Sequence, residues 1–440
     1  MDLQNRTLLL MGGGAYARDI ARYQAEKGFR IVALGRDQDT PISRIADAFY
    51  QVNTQDVDGV CEVVRRENVD GIFVGASEVN IIPAIRVSEK TGARFYANQA
   101  QWDILADKAA FKDCCRACGV PVVPEFHLPE NYTREDVAAL PYPVLLKPVD
   151  SSGARGMNAC FRAEDFEALY QEALRWSPKG QVIIEELITG ADEVFFQYTL
   201  QNGVCSLTSC FTKVFVKSDN PGLILPIFHM YPSKYIDAYY ADVHQSVCRM
   251  FERIGVRDGV MTLQSFCRDG RFYIFEAGYR MGGAQNYILS QHYNGTNSLE
   301  YMINYALTGQ MDDTPILPRD NARFSGPCCN YYVGLRAGTI GRMDGVDAVR
   351  TMPGVLNVTV MGGVGDVVED TNALERICLR IHVAGDDPQQ LAQRLVAISR
   401  KLDIVSTTGE DMQLEPLEYH RCLAAIRSAT IFGGEQACES

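Results

Sequence analysis

The chain has no dense run of lysine or arginine, and no apolar stretch near the roughly 18 uninterrupted residues of a membrane-spanning helix. Its net charge of −13 also disfavours phosphate backbones, which sets aside nucleic acid and membrane as partners. The opening residues, MDLQNRTLLLMGGG, lack a basic region leading into a long apolar one, and they lack a small-residue cleavage site. A soluble, cytoplasmic protein is expected. The 14 cysteines follow no secretory or zinc spacing, so reduced thiols are expected rather than a disulfide framework. Cys115 and Cys118 form a C-x-x-C without a second pair, inside a helical pattern, and read as core thiols rather than a redox or zinc site. Internal repeats and low-complexity segments are missing too. What remains is a chain of 440 residues, 47% hydrophobic and 22% charged, long enough for two or three packed units.

TLLLMGGG reads as a buried strand ending in a glycine turn, followed by a helical pattern over AYARDIARYQAEKG and a second strand, RIVALGRD. Strand and helix patterns alternate to about residue 100, which predicts a parallel sheet covered on both faces. From residue 101 the strands become longer and hairpin-like. Asn202-Gly203 and Asp269-Gly270 are both turn dipeptides. One long helix is expected over DAYYADVHQSVCRMFERIG. After the break at TPILPRDN, RICLRIHVAG alternates as a half-buried strand, and Leu391, Leu395, Ile398 and Leu402 form the core stripe of a helix. The expected units are an α/β domain over 1–100, a central domain over 101–318 with a lid at about 135–205, and an α+β domain over 319–440.

Four stretches carry candidate chemistry. Gly12 to Ala17 fits G-x-G-x-x-A with Asp37 downstream, a weak dinucleotide fingerprint that is also an ordinary way to turn a first strand into a helix. YPVLLKPVDSSGARGM sends Lys147 out of an apolar strand into Ser151, Ser152, Gly153 and Gly156. Small residues there let backbone N–H groups approach phosphate oxygens. VIIEELITGADEV runs into Glu185, Glu186, Leu187 and Ile188 and then Glu193; its main chain suits an adenine edge and a carboxylate suits ribose hydroxyls. Gln264 and Glu276 lie twelve apart on two strands joined by a short turn, a spacing that can set their oxygens side by side for a hard cation. Lys213 and Lys217 are placed to share one strand face, and His229 is either a hydrogen-bonded core residue or one that orients a substrate.

Taken in order, Asp107-Lys108, the Lys147 loop, the paired glutamates and a late Glu276-x-x-x-Arg280 resemble the ATP-grasp superfamily. The likeness is closest to enzymes akin to L-amino acid ligases and carbamoyl phosphate synthetase, and it covers nearly the whole chain. The resemblance implies that Lys108 and Lys147 contact nucleotide phosphates or the adenine edge, with the Ser151–Gly156 loop closing over the phosphates. It implies further that Glu186 and Leu187 hold adenine through the backbone, with Glu185 and Ile188 beside them, and that Glu193 holds ribose. Gln264 and Glu276 would ligate magnesium, or manganese in its place, and Arg280 would face the transferred phosphoryl group.

The implied reaction is ATP-dependent joining of a small carboxylate to an amine through an acyl phosphate, with a homodimer among the open oligomeric states. One departure stands out: the family pattern Glu-x-Asn-x-Arg has glycine, Gly278, in place of asparagine. Water and phosphate would then complete the metal site, or Gln285 or Asn286 reaches in, or catalysis has decayed and the chain is an ATP-binding regulator. A dinucleotide-dependent oxidoreductase is the third reading.

Overall fold

The computed structural model describes residues 1–150, 155–216, 225–370 and 374–433. The first strand, Thr7–Leu10, is buried throughout and pairs in parallel with Arg30–Leu34 on one side and Gly71–Phe73 on the other. Ala48–Tyr50 completes a four-stranded parallel sheet. Helices Ala17–Lys27, Val57–Glu67 and Ile81–Thr91 follow its strands, and the first and third end on Gly28 and Gly92 in left-handed conformations that glycine adopts without strain. Chain order reverses beside the first strand, so the crevice at its carboxyl end is where an open parallel sheet offers a site.

The glycine turn after Thr7–Leu10 is explained by packing. A Cβ on Gly12 would meet the Val74 carbonyl at 2.5 Å, and one on Gly75 would meet the Gly13 Cα at 2.8 Å, so two loops touch through bare backbone.

The central sheet has eight strands in the order Arg271–Gly278, Gly259–Arg268, Asp192–Gln201, Val204–Phe215, Pro226–Tyr231, Cys328–Gly334, Ile377–Ala384 and Val355–Val360. Every neighbouring pair is antiparallel. The sheet runs across the boundary expected at 319, because Pro226–Tyr231 pairs with Cys328–Gly334. Both turn dipeptides sit in hairpins with positive φ, at Asn202 and Gly203 and at Asp269 and Gly270. The long helix expected after residue 236 is two helices, Ile236–Asp242 and His244–Ile254, parted at Val243, whose φ/ψ of −123/−39 is not helical.

A second, four-stranded antiparallel sheet, Glu125–Phe126, Val182–Glu186, Val144–Pro148 and Asn158–Cys160, lies over residues 125–186 with helix Ala163–Arg175 packed on it. Helix Pro388–Lys401 buries Leu391, Leu395, Ile398 and Leu402 as its stripe requires. The strand Ile377–Ala384 is a correction to the half-buried expectation. It is buried at all eight positions, because its polar face, Arg380 and His382, is roofed by the segment after Arg280. Among the described residues no helix is long and apolar enough to cross a membrane, and every cysteine is a free thiol, Cys115 buried and Cys118 partly so.

Candidate active site

Gln264 and Glu276 are direct partners across the hairpin Gly259–Arg268/Arg271–Gly278, beside a register shift at Gln264/Ser265 that turns this end of the ladder. The Gln264 amide Nε2 donates to Glu276 Oε2 at 2.6 Å, and Gln264 Oε1 lies 3.4 Å from Lys213 Nζ. Glu276 is open to solvent on one side and crowded by charge on the other. Burial first, then Glu78, pushes its carboxyl above the usual range, against the pull of Lys108, Arg280 and Lys147. Lys108 and Lys147 are in turn held below the usual lysine range by burial, with glutamates opposing that shift. Glu78, Lys108, Lys147 and the Glu276–Arg280 stretch, four separate parts of the chain, thus share one electrostatic neighbourhood, as functional sites commonly do.

Glu185 holds the middle of a buried chain of alternating charge. Its Oε2 lies 2.5 Å from Lys147 Nζ, and its other oxygen pairs with Lys112, which is fully buried and also sits 3.0 Å from Glu125. Arg116 closes the chain on Glu125. Glu186 pairs at 2.7 Å with Arg268, and Glu193 with Lys213. The backbone N–H groups of Glu186 and Leu187 already donate to Pro124 and Pro143, so a ligand at this strand end would have to meet their carbonyls or the following residues, Ile188 among them.

Asp107 caps the helix Lys108–Ala117, fixing Lys108 at its first turn, and the Lys108 N–H donates to Val149 beside the strand that carries Lys147. Gly156 sits at φ +73 with Trp176 packed where a Cβ would be. Ser151, Ser152, Gly153 and Lys217 lie outside the described residues.

Arg280 pairs with Glu78 at 3.0 Å. Glu78 follows the strand Gly71–Phe73 at the carboxyl end of the parallel sheet, in the crevice where chain order reverses. Sequence reading missed it, although an acidic residue just past a strand at that crevice is a usable signal. Lys112 and Arg268 were missed as well, since neither belongs to a motif.

Gly278 has a local cause. It faces Thr262 in the ladder, and a Cβ there would come within 2.8 Å of the Thr262 hydroxyl. Neither neighbouring amide substitutes for the absent side chain. Asn286 is bonded to Tyr231 and Gln197, and Gln285 to Ala15, Thr359 and Arg380. Among the described residues no group of three His, Cys, Asp or Glu could hold a metal by itself. The carbonyl oxygen of Gln264 and the carboxylate of Glu276 nevertheless fit a hard cation that takes its other ligands from water and phosphate.

Beside these groups a cavity of about 440 Å³ runs across the sheet, lined by Glu193, Lys213, Gln264 and Arg280 at one side and by Tyr332 and Arg380 at the other. His229 lines it too, hydrogen-bonded to the Tyr332 hydroxyl at 3.1 Å and kept neutral by burial. His229 is thus the hydrogen-bonded residue of the first reading, set in the cavity wall.

Residues 107–285 match the family described as carbamoyl-phosphate synthase L chain, ATP binding domain, and residues 332–407 match L-amino acid ligase C-terminal domain 2. The chain is an ATP-grasp protein. Within that fold its matched segments, 107–285 and 332–407, are similar to domains of ATP-dependent carboxylate-amine ligases. It is similar to formate-dependent phosphoribosylglycinamide formyltransferase of Wolinella succinogenes, 24% identical over 198 residues, 44% of this chain and 51% of that one. The chain spans about half the length of the curated relatives it matches. Among solved structures it resembles the biotin carboxylase domain of Hydrogenobacter thermophilus 2-oxoglutarate carboxylase, with TM-score 0.74 and 18% identity over 93% of this chain and 91% of that one. It also resembles L-amino acid ligase from Bacillus licheniformis, with TM-score 0.71 and 16% identity over 92% and 99%. At these identities the structural likenesses establish the fold.

Proposed function

We propose that the protein is an ATP-dependent ligase that activates a small carboxylate, an amino acid by preference, as an acyl phosphate and joins it to an amine with release of ADP and phosphate. The observation that carries this reading is the convergence of Lys108, Lys147, Glu276 and Arg280 beside Gln264, at the edge of a cavity large enough for small substrates. Lys108 and Lys147 would hold the triphosphate, and the strand end from Glu185 to Ile188 the adenine edge. Glu193 would bind ribose on releasing Lys213. Arg280 would stabilise charge on the phosphoryl group as the carboxylate takes it, so the protein's contribution is positioning and electrostatics. Magnesium held by Gln264 and Glu276 would supply further neutralisation of that charge. The amine then displaces phosphate, and excluding water protects the intermediate.

Phosphate release measured over pairs of amino acids and simple amines, with products identified by mass, tests this directly. Turnover needing acid and amine together, and collapsing in Lys147→Ala and Glu276→Ala, is expected. ATP binding without turnover over the whole panel would favour the regulator instead. A dinucleotide enzyme has less support, because the Gly12 and Gly13 turn is accounted for by its packing on Gly75 and Val74. Whether the chain dimerises, as the biotin carboxylase relative does, is read by light scattering.

A further inference from the structure

Arg380 lies on the strand Ile377–Ala384, with four strands between it and the strand of Gln264 in sheet order, and both side chains line the same cavity. It is 8% exposed. Among the described residues no carboxylate pairs with it, whereas Arg280 has Glu78 and Lys213 has Glu193 on the same cavity. The guanidinium is also used unevenly. Nη1 donates to the Gly283 carbonyl at 2.5 Å and to Gln285 Oε1 at 3.3 Å, Nη2 reaches the Met361 sulfur at 3.7 Å, the guanidinium lies 5.7 Å from the centre of the Tyr332 ring, and among the described residues Nε has no hydrogen-bond partner. The edge formed by Nε and Nη2 is the one that takes both oxygens of a carboxylate in parallel hydrogen bonds. A buried cation without an opposite charge is costly unless a ligand supplies one.

The rest of the cavity wall says what body the anion is attached to. Phe195, Phe211 and His229 stack in series, with ring centroids 4.7 and 4.2 Å apart, and Tyr332 meets His229 edge-on at 4.7 Å. Flat, apolar groups pack well on such a surface.

Resting on the ligase reading of this site, we propose that Arg380 anchors a carboxylate carried by the amine substrate, whose body is apolar or aromatic and lies along the Phe195–Phe211–His229 wall. The reacting carboxylate is engaged at the Gln264, Glu276 and Arg280 side, so the anion at Arg380 belongs to the other reactant. The acceptor is therefore of the amino-acid type and is selected by its negative charge, not by its amine alone.

Three acceptors separate these contributions: L-phenylalanine, L-phenylalaninamide and 2-phenylethylamine, which keep, neutralise and delete the carboxylate on one body. With ATP and the acid that gives most phosphate release, the amide and the bare amine are expected to show a KM higher by on the order of tenfold to a hundredfold. Arg380→Gln should erase that preference, and Arg380→Lys should weaken it while keeping the charge; the KM for ATP serves as the internal control. Equal use of acid and amide by the unaltered enzyme, or a preference that survives in Arg380→Gln, overturns the assignment. So does a requirement for a dicarboxylic acid donor with any neutral amine.

Thermal shift with the same three compounds reads the anchor without turnover. A carboxylate-dependent shift that Arg380→Gln loses supports the anchor even where no acid–amine pair is ligated, and identical shifts for acid and amide count against it. If Arg380→Gln does not fold, the three-compound series on the unaltered protein and on Arg380→Lys decides.

Discussion

Thr262 and Gly278 face each other across the hairpin that carries the proposed metal ligands, and the Thr262 hydroxyl donates to the Gly278 carbonyl at 3.3 Å. That hydroxyl also fills the space a side chain on residue 278 would need. Restoring asparagine there should overpack the strand pair, and Gly278→Asn is expected to cost about 1–3 kcal/mol. Thr262→Ala removes the obstructing oxygen, so the double variant should recover most of the loss. Urea denaturation of the four proteins gives the coupling, and additive effects would contradict this account of Gly278.

Lys112 and Lys147 divide one carboxylate between them, and among the described residues Glu125 is the one further acid that pairs with Lys112. Lys112→Met leaves Glu185 and Glu125 short of a buried countercharge and is expected to destabilise the fold by about 3 kcal/mol. Adding Glu185→Gln should deepen the loss instead, because it strips buried Lys147 of its own countercharge. Unfolding midpoints in urea check both steps. A harmless Lys112→Met would mean that water or a rearranged Arg116 takes over.

The Arg280–Glu78 pair bridges residues 202 apart in sequence and is substantially exposed, at 25% and 40%. Its contribution to stability is therefore small, within about 1 kcal/mol. Its value is in aiming Arg280. Glu78→Gln should leave the melting temperature nearly unchanged and lower kcat by more than about tenfold, if a misplaced group costs as much as positioning arguments imply. A large loss of stability with normal kcat would be the opposite result.

His229 and His382 are neutral because burial penalises their charged forms, reinforced by Lys213 and then Arg380 at His229 and by Arg380 at His382; the His382 imidazole is lowered to about 3. An unfolded imidazole titrates near 6.5. Because the folded values are depressed, the stability that these residues contribute is complete above pH of about 6.5 and is lost as pH falls toward the folded values, at about 1.4 kcal/mol per pH unit for each. Guanidinium denaturation at about pH 7.5 and about pH 5 should register the decline, and His382→Gln should flatten it. An unchanged midpoint at the lower pH would mean that both rings take up a proton in the folded state as readily as in the unfolded one, contrary to this account.

Much of this was written locally in the sequence. The hairpin that unites Gln264 and Glu276 could be read because strand side chains alternate with period two and Asp269-Gly270 fixes the turn. Lys147 and Glu185 were visible because each ends an apolar strand. Glu78, Lys112 and Arg380 were not, since what makes them matter is a partner or a gap supplied by distant chain. Arg380 is the sharpest instance. In RICLRIHVAG it looks like the solvent side of an ordinary strand, and only the roof formed by residues 283–285 turns it inward.

That roof is held from both ends of the chain. Tyr16 donates to the Gly282 carbonyl at 2.9 Å and Gln285 Nε2 to the Ala15 carbonyl at 2.6 Å, while Asn330 and His382 both donate to the Ala284 carbonyl, at 2.8 and 3.0 Å. Gln285 itself stands at φ +57, a conformation that a residue with a side chain seldom holds without such support. Residues 282–285 together act as a keystone. A fragment cut to the nucleotide-binding piece, 107–285, would retain Lys108, Lys147, Gln264 and Glu276 but lose both abutments of the arch next to Arg280. Such a fragment should bind nucleotide far better than it transfers phosphate, because the first task is local and the second belongs to the whole chain.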